Sequence, residues 1–151
     1  MIEDIWQGKY TYGITSSAHM QCLIDTEQLA VRLTLAEEVL RTIAFDTIAF
    51  RGMSGAFLGP SLAVRLGKKL ILVRKDGDRD HTCYAVEGNE RTNRYVIVDE
   101  FEYKGNTKRA IIEHVSIFAP DANFVGMLEV GYISRDKIGA TIGRGLPYPL
   151  K

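Results

Sequence analysis

Apolar residues along this chain fall into short runs separated by glycine-rich or charged breaks, and their period changes from run to run. Leu29, Leu33, Ala36, Val39, Leu40 and Ile43 recur at spacings of three and four. That is the stripe of a helix with one face on a core. Asp25 and Thr26 stand ahead of it as N-cap candidates, and Glu27 falls in the first turn, where negative charge suits the helix dipole. The spacing predicts a helix within 24–43. Residues 46–50, Asp-Thr-Ile-Ala-Phe, read as a short strand that stops at the glycine-rich loop Arg51-Gly52-Met53-Ser54-Gly55. Gly59-Pro60-Ser61 opens a second helix through Arg65, with Gly67 as its C-cap. Leu70-Ile71-Leu72-Val73-Arg74 is a continuous apolar run, as expected of a strand covered on both faces.

The next stretch, 75–82, is almost wholly polar and predicts an exposed loop. Residues 84–87 read as a short returning strand and 88–89 as a turn. Tyr95-Val96-Ile97-Val98 is the most apolar strand pattern in the chain, closed by Asp99 and Glu100. Gly105-Asn106-Thr107 opens a further helix. Val115-Ser116-Ile117-Phe118-Ala119 reads as a strand, and 125–132 as one more. Residues 1–21 read as an irregular lead-in, and so does the tail with Gly143, Gly145, Pro147 and Pro149.

Strands alternating with helices predict an α/β fold: an open, mainly parallel twisted sheet with right-handed crossovers and helices on both faces. The length of 151 residues suits a single domain over 1–151, and 46% hydrophobic with 25% charged residues is ordinary for a globular protein. Lys plus Arg equals Asp plus Glu, at 19 each. No global basic field therefore exists to draw nucleic acid or an anionic membrane. Cys22 and Cys83 are far apart and outside any CxxC pair, which argues for free thiols in a reducing compartment. With neither a secretory leader pattern nor an apolar stretch near the ~20 residues of a bilayer span, the expectation is a cytoplasmic protein without a membrane or nucleic-acid partner.

In open α/β sheets, ligands gather outside the carboxyl ends of the strands, and three of the expected ends carry chemistry. After Val96-Ile97-Val98 come Asp99 and Glu100, then Phe101-Glu102-Tyr103-Lys104 and Gly105-Asn106-Thr107. The backbone N–H groups of a helix start make an anion cradle, and Gly105 admits close approach. The carboxylates can accept hydrogen bonds from sugar hydroxyls or hold Mg²⁺. A solvated loop with a capping threonine is the alternative, and the order strand, acid pair, spacer, Gly-x-Thr favours a ribose-phosphate site. The segment after residue 50 fits an anion-binding turn and an ordinary glycine-rich turn equally. Arg74 and Lys75, at the third end, can neutralise a pyrophosphate or stand as a solvated pair. His19, His114 and Trp6 read as structural or exposed residues.

The three segments together resemble type I phosphoribosyltransferases, over roughly 46–118. Residues 51–66 with Val73-Arg74-Lys75 look most like adenine phosphoribosyltransferases. Residues 96–107 are similar to the family signature for phosphoribosyl pyrophosphate (PRPP): four apolar residues, two acids, a four-residue spacer, then Gly-x-Thr. The resemblance implies transfer of phosphoribose from PRPP to a nitrogenous base with release of pyrophosphate, the base being a purine by the 51–66 similarity or else orotate. It implies Mg²⁺, a nucleobase or nucleoside monophosphate as the other ligand, a homodimer, and a small hood built from a terminal segment, 10–22 or 139–151. It assigns Asp99 and Glu100 to the ribose hydroxyls and the metal. Tyr103, Lys104, Gly105, Asn106 and Thr107 would wrap the 5-phosphate. Arg51 and Gly52 would form the pyrophosphate loop, with Arg74 and Lys75 beside it. The run 76–82, including Asp80 and His81, would be a lid. Lys104 stands where the family carries Thr or Ser, and Glu102 where it is mostly apolar. These departures motivate a second reading, a non-catalytic module that binds PRPP or a nucleotide.

Overall fold

The structure, a computed structural model, describes residues 5–7, 10–12, 19–78, 81–101 and 104–133. Ile5–Gln7 (β1) pairs antiparallel with Tyr10–Tyr12 (β2), a two-stranded unit where the sequence pattern reads as irregular. A one-turn helix, Gln21–Ile24 (α1), leads into Thr26–Leu40 (α2). Asp25 caps α2 as expected: its carboxylate accepts from the backbone N–H of Glu27 and Gln28 at 3.1 and 3.2 Å. There follow Thr47–Phe50 (β3), Gly52–Leu66 (α3), Lys69–Val73 (β4), Val86–Gly88 (β5), Arg94–Asp99 (β6), Asn106–Phe118 (α4), Asn123–Glu129 (β7) and a 3₁₀ turn, Val130–Tyr132.

The main sheet has strand order β5-β4-β3-β6-β7. It is parallel throughout except for β5, which returns antiparallel to β4. One face carries α2 and α3 over Ile48, Val96, Val98 and Leu128. The other carries α4, with Ile111 and Val115 over Ala49, Ile71, Ile97 and Met127. The strands are covered on both sides, which is why β6 reads as an unbroken apolar run.

Two further elements differ from the sequence pattern. Residues 51–55 are not a loop, because α3 begins at Gly52, directly after β3. Its buried residues Gly55, Leu58, Gly59, Leu62 and Ala63 keep helical spacing from the first turn, and Pro60 lies inside the helix. Gly59 is there for packing: a Cβ at that position would come within 2.8 Å of the Phe50 ring. The second difference is 115–119, expected as a strand and found as the end of α4 with Ala119 as its C-cap. Ile111, Val115 and Ala119 are buried four residues apart, so the helical period outweighs the β preference of Val and Ile.

At the opposite edge of the sheet from the strand ends, Asp46 ties β3 to β6. Its carboxylate accepts from the Thr47 hydroxyl at 2.6 Å and from the Arg94 N–H at 3.0 Å. Burial pushes this carboxyl up, and the hydrogen bonds more than offset it, so Asp46 stays below the usual carboxylate range.

Candidate functional site

The strand order reverses between β3 and β6. The chain leaves β3 through α3 on one face and leaves β6 toward α4 on the other. A crevice at the carboxyl ends of those two strands follows from this topology. The register that pairs Ala49 with Ile97 sets Arg51 level with Asp99. The register that pairs Phe50 with Leu72 sets Gly52 level with Arg74. All three strand ends singled out in the sequence therefore meet at one edge.

Asp99 is 5% exposed and Glu100 4%, and the fold turns the two acids apart. Asp99 faces α3, where its Oδ1 accepts from the Ser54 hydroxyl at 2.7 Å and from the Glu100 N–H at 2.8 Å. Glu100 faces α1, where its Oε1 accepts from the Cys22 thiol at 3.1 Å. Its backbone carbonyl accepts from the Gly131 N–H at 2.8 Å. The two carboxylates thus meet different elements, Asp99 the start of α3 and Glu100 the helix α1. Among the described residues no cluster of three or more His, Cys, Asp or Glu side chains could hold a metal ion.

The Cys22–Glu100 contact has a chemical signature. Burial, then the hydrogen bond to Glu100 and its negative charge, push the Cys22 thiol up to about 11. Iodoacetamide at pH 8 will therefore label the exposed Cys83 first, since only ~0.1% of a thiol titrating near 11 is thiolate at that pH. Glu100→Gln removes the charge and should speed Cys22 labelling roughly tenfold, read by peptide mass mapping. Equal rates at the two cysteines in the native protein would disprove the contact. The folded state also holds this proton more tightly than the unfolded chain. The stability it contributes is complete below the ordinary thiol value near 9.0 and is lost as pH rises toward 11.

Around the crevice, two helices open at glycines with positive φ. Gly105 is in the left-handed region at φ 74° and caps α4. Behind it Arg109 braces the loop, donating from Nε to the Gly105 carbonyl at 3.2 Å, and from its terminal amino group to the Lys104 carbonyl at 3.1 Å and to Asn106 Oδ1 at 2.8 Å. The first N–H groups of α4 lack helical partners and carry the positive end of its dipole. Thr107 lies half-buried in that first turn, with Asn106 and Lys104 exposed beside it. Gly52, also at φ 74°, opens α3, and the Lys75 side chain lies over it: a Cβ built on Gly52 would sit 2.9 Å from Lys75 Cε and 3.2 Å from Nζ.

The expected partner of Lys75 is engaged elsewhere. Arg74 donates to Glu87 of β5 from Nε at 2.9 Å and from its terminal amino group at 2.5 Å. It also reaches the Asp78 carbonyl at 3.3 Å. Its guanidinium fastens the loop after β4 to β5 instead of facing the crevice. His81 is exposed, while Asp80 and Tyr103 lie outside the described residues, as does the tail proposed for the hood.

Ser54, Cys22 and Arg109 were not legible as site residues. Arg109 had a usable signal, since it stands four residues after Gly105, one helical turn away. Ser54 and Cys22 reach Asp99 and Glu100 across 45 and 78 residues of chain.

No family model matches this sequence, and none of the curated proteins does. Solved structures do match. The orotate phosphoribosyltransferase of Aeropyrum pernix superposes with a TM-score of 0.58 at 20% identity, over 82% of this chain and 70% of that one. The chain has the type I phosphoribosyltransferase fold. The adenine phosphoribosyltransferase of Thermoanaerobacter pseudethanolicus matches at 0.55 and 21% identity, over 83% of this chain and 82% of that one. The orotate phosphoribosyltransferase of Mycobacterium tuberculosis H37Rv, in complex with PRPP, matches at 0.56 and 15%, over 77% of this chain and 64% of that one. On this phosphoribosyltransferase fold, the β3, β4 and β6 ends and the α3 and α4 starts are the elements that shape the crevice. No helix among the described residues is long and apolar enough to cross a membrane.

Proposed function

We propose that this chain is a single-domain, PRPP-dependent phosphoribosyltransferase acting on a nitrogenous base. The observation that carries the proposal is the placement of one buried carboxylate, Asp99, between two helix starts opened by left-handed glycines, all at the reversal point of a parallel sheet. A purine is the favoured acceptor by the sequence of 51–66, with orotate second. The same reading brings a homodimer and a cytoplasmic location with it.

In this proposal the loop of Lys104, Gly105, Asn106 and Thr107 binds the 5-phosphate through backbone N–H groups and the α4 dipole. Asp99 accepts hydrogen bonds from the ribose hydroxyls. Gly52 and Lys75 receive the pyrophosphate, and Mg²⁺ enters bound to it as part of the substrate. The bond between ribose C1 and pyrophosphate oxygen breaks, and a bond from C1 to the base nitrogen forms. The nitrogen's proton passes to pyrophosphate or solvent. The chain's contribution is alignment and fixed charge beside a positively charged ribose.

A non-catalytic PRPP- or nucleotide-binding module is the second reading. It is favoured by Glu87 holding Arg74 and Cys22 holding Glu100. Incubation with PRPP, Mg²⁺ and a panel of purines, pyrimidines and orotate, followed by pyrophosphate detection, separates the readings. The expected result is base-dependent pyrophosphate release. PRPP binding without release across the panel would establish the module, and no PRPP binding by calorimetry would sink both.

A further inference from the structure

We infer that Ser54 is a positioning residue, which fixes the Asp99 carboxylate for the ribose; the inference rests on the PRPP reading above. Ser54 lies in the first turn of α3, two residues after Gly52, on one wall of the crevice. Asp99 ends β6 on the other wall. The 2.7 Å hydrogen bond between them bridges the two.

The carboxylate is 5% exposed, and a buried carboxylate needs hydrogen bonds to remain there. Of its described donors, the Glu100 N–H belongs to the next residue and follows the β6 backbone. The Ser54 hydroxyl comes from a different element, so it sets the side-chain rotation independently of that backbone. These two donors are neutral. They orient the carboxylate oxygen Oδ1, as an acceptor for ribose hydroxyls requires. The same first turn of α3 starts at the glycine over which Lys75 lies.

The test is calorimetry of Mg²⁺-PRPP and of Mg²⁺-pyrophosphate on the native protein, Ser54→Ala and Ser54→Thr. Ser54→Ala should weaken PRPP about tenfold, the usual effect of losing a hydrogen bond to a charged group. It should change pyrophosphate by less than about twofold, because pyrophosphate carries no ribose. Ser54→Thr returns the hydroxyl and should recover most of the loss. In an Asp99→Asn background the Ser54→Ala change should add little, since it acts through Asp99. Equal loss for both ligands, no recovery in Thr, or additivity with Asp99→Asn would overturn the role and make Ser54 a structural part of the turn. A native protein that fails to bind PRPP removes the underlying reading and this role together, and that result precedes any variant.

Discussion

Asp99→Asn should lower transfer from PRPP by a hundredfold or more, with the fold intact. Asp99 is the acid of the pair whose carboxylate meets the start of α3. In the proposed complex it accepts from two ribose hydroxyls, and each charge-assisted bond is worth roughly 1.5–3 kcal/mol. Losing the charge from both gives a change on the order of 10²–10³ in kcat/KM. Asparagine keeps an oxygen where the Ser54 hydroxyl and the Glu100 N–H donate, so the β6 end keeps its geometry. It also removes one of two adjacent buried negative charges, which should leave the thermal midpoint unchanged or slightly raised. Glu100→Gln is the control that the structure supplies. Its carboxylate faces Cys22, so this change should alter cysteine labelling far more than PRPP affinity. Steady-state kinetics and calorimetry on the two single variants check both statements. Equal losses of PRPP affinity in the two would mean that the acids act as a pair on the ligand, against the geometry.

The contrast between these neighbouring acids shows where sequence reading stops. The run 95–98 could be assigned to a central strand because four consecutive apolar residues need cover on two faces, and the acids after it mark the edge where such a strand meets solvent or ligand. The stripe over 29–43, its Asp25 cap and the Gly67 C-cap were legible for the same reason: each signal sits within one or two turns of the element it defines. Local signals also misled. Pro60 looks like the first turn of a helix, yet α3 had begun eight residues earlier, because Gly55 and Gly59 allow close packing on Phe50 that propensity does not register. Residues 115–119 carry β-branched and aromatic side chains, but their burial follows the period of α4. Asp99 and Glu100 are chemically almost alike. What separates them is which distant side chain each meets, Ser54 or Cys22, and only the packed chain decides that. The same holds for Arg74: the pair Arg74-Lys75 reads as two cations at a strand end, and the antiparallel return of β5 places Glu87 against one of them.

Gly52→Ala is expected to separate pyrophosphate binding from stability at the other wall of the crevice. At φ 74° an alanine enters a backbone region that disfavours any Cβ, at a cost of about 1 kcal/mol. For a chain of this length that corresponds to a fall of roughly 2–4 °C in thermal midpoint. The new Cβ also meets Lys75, 2.9 Å from Cε and 3.2 Å from Nζ. The end of a lysine is flexible, so it swings aside at little cost in stability, and its ammonium leaves the start of α3. The Cβ further keeps a phosphate from approaching the backbone N–H groups that open the helix. Pyrophosphate affinity should therefore fall by about thirtyfold, more than the roughly tenfold expected when Lys75→Ala removes the cation alone. Lys75 is exposed, so its own substitution should leave the thermal midpoint where it was. The double variant should bind pyrophosphate no more weakly than Gly52→Ala, because the lysine is already displaced in the single change. Calorimetry of pyrophosphate with Mg²⁺ and scanning calorimetry on the three variants give both readouts. Native affinity in Gly52→Ala with the midpoint lowered would show that this glycine serves only the turn, and would move the pyrophosphate away from the start of α3.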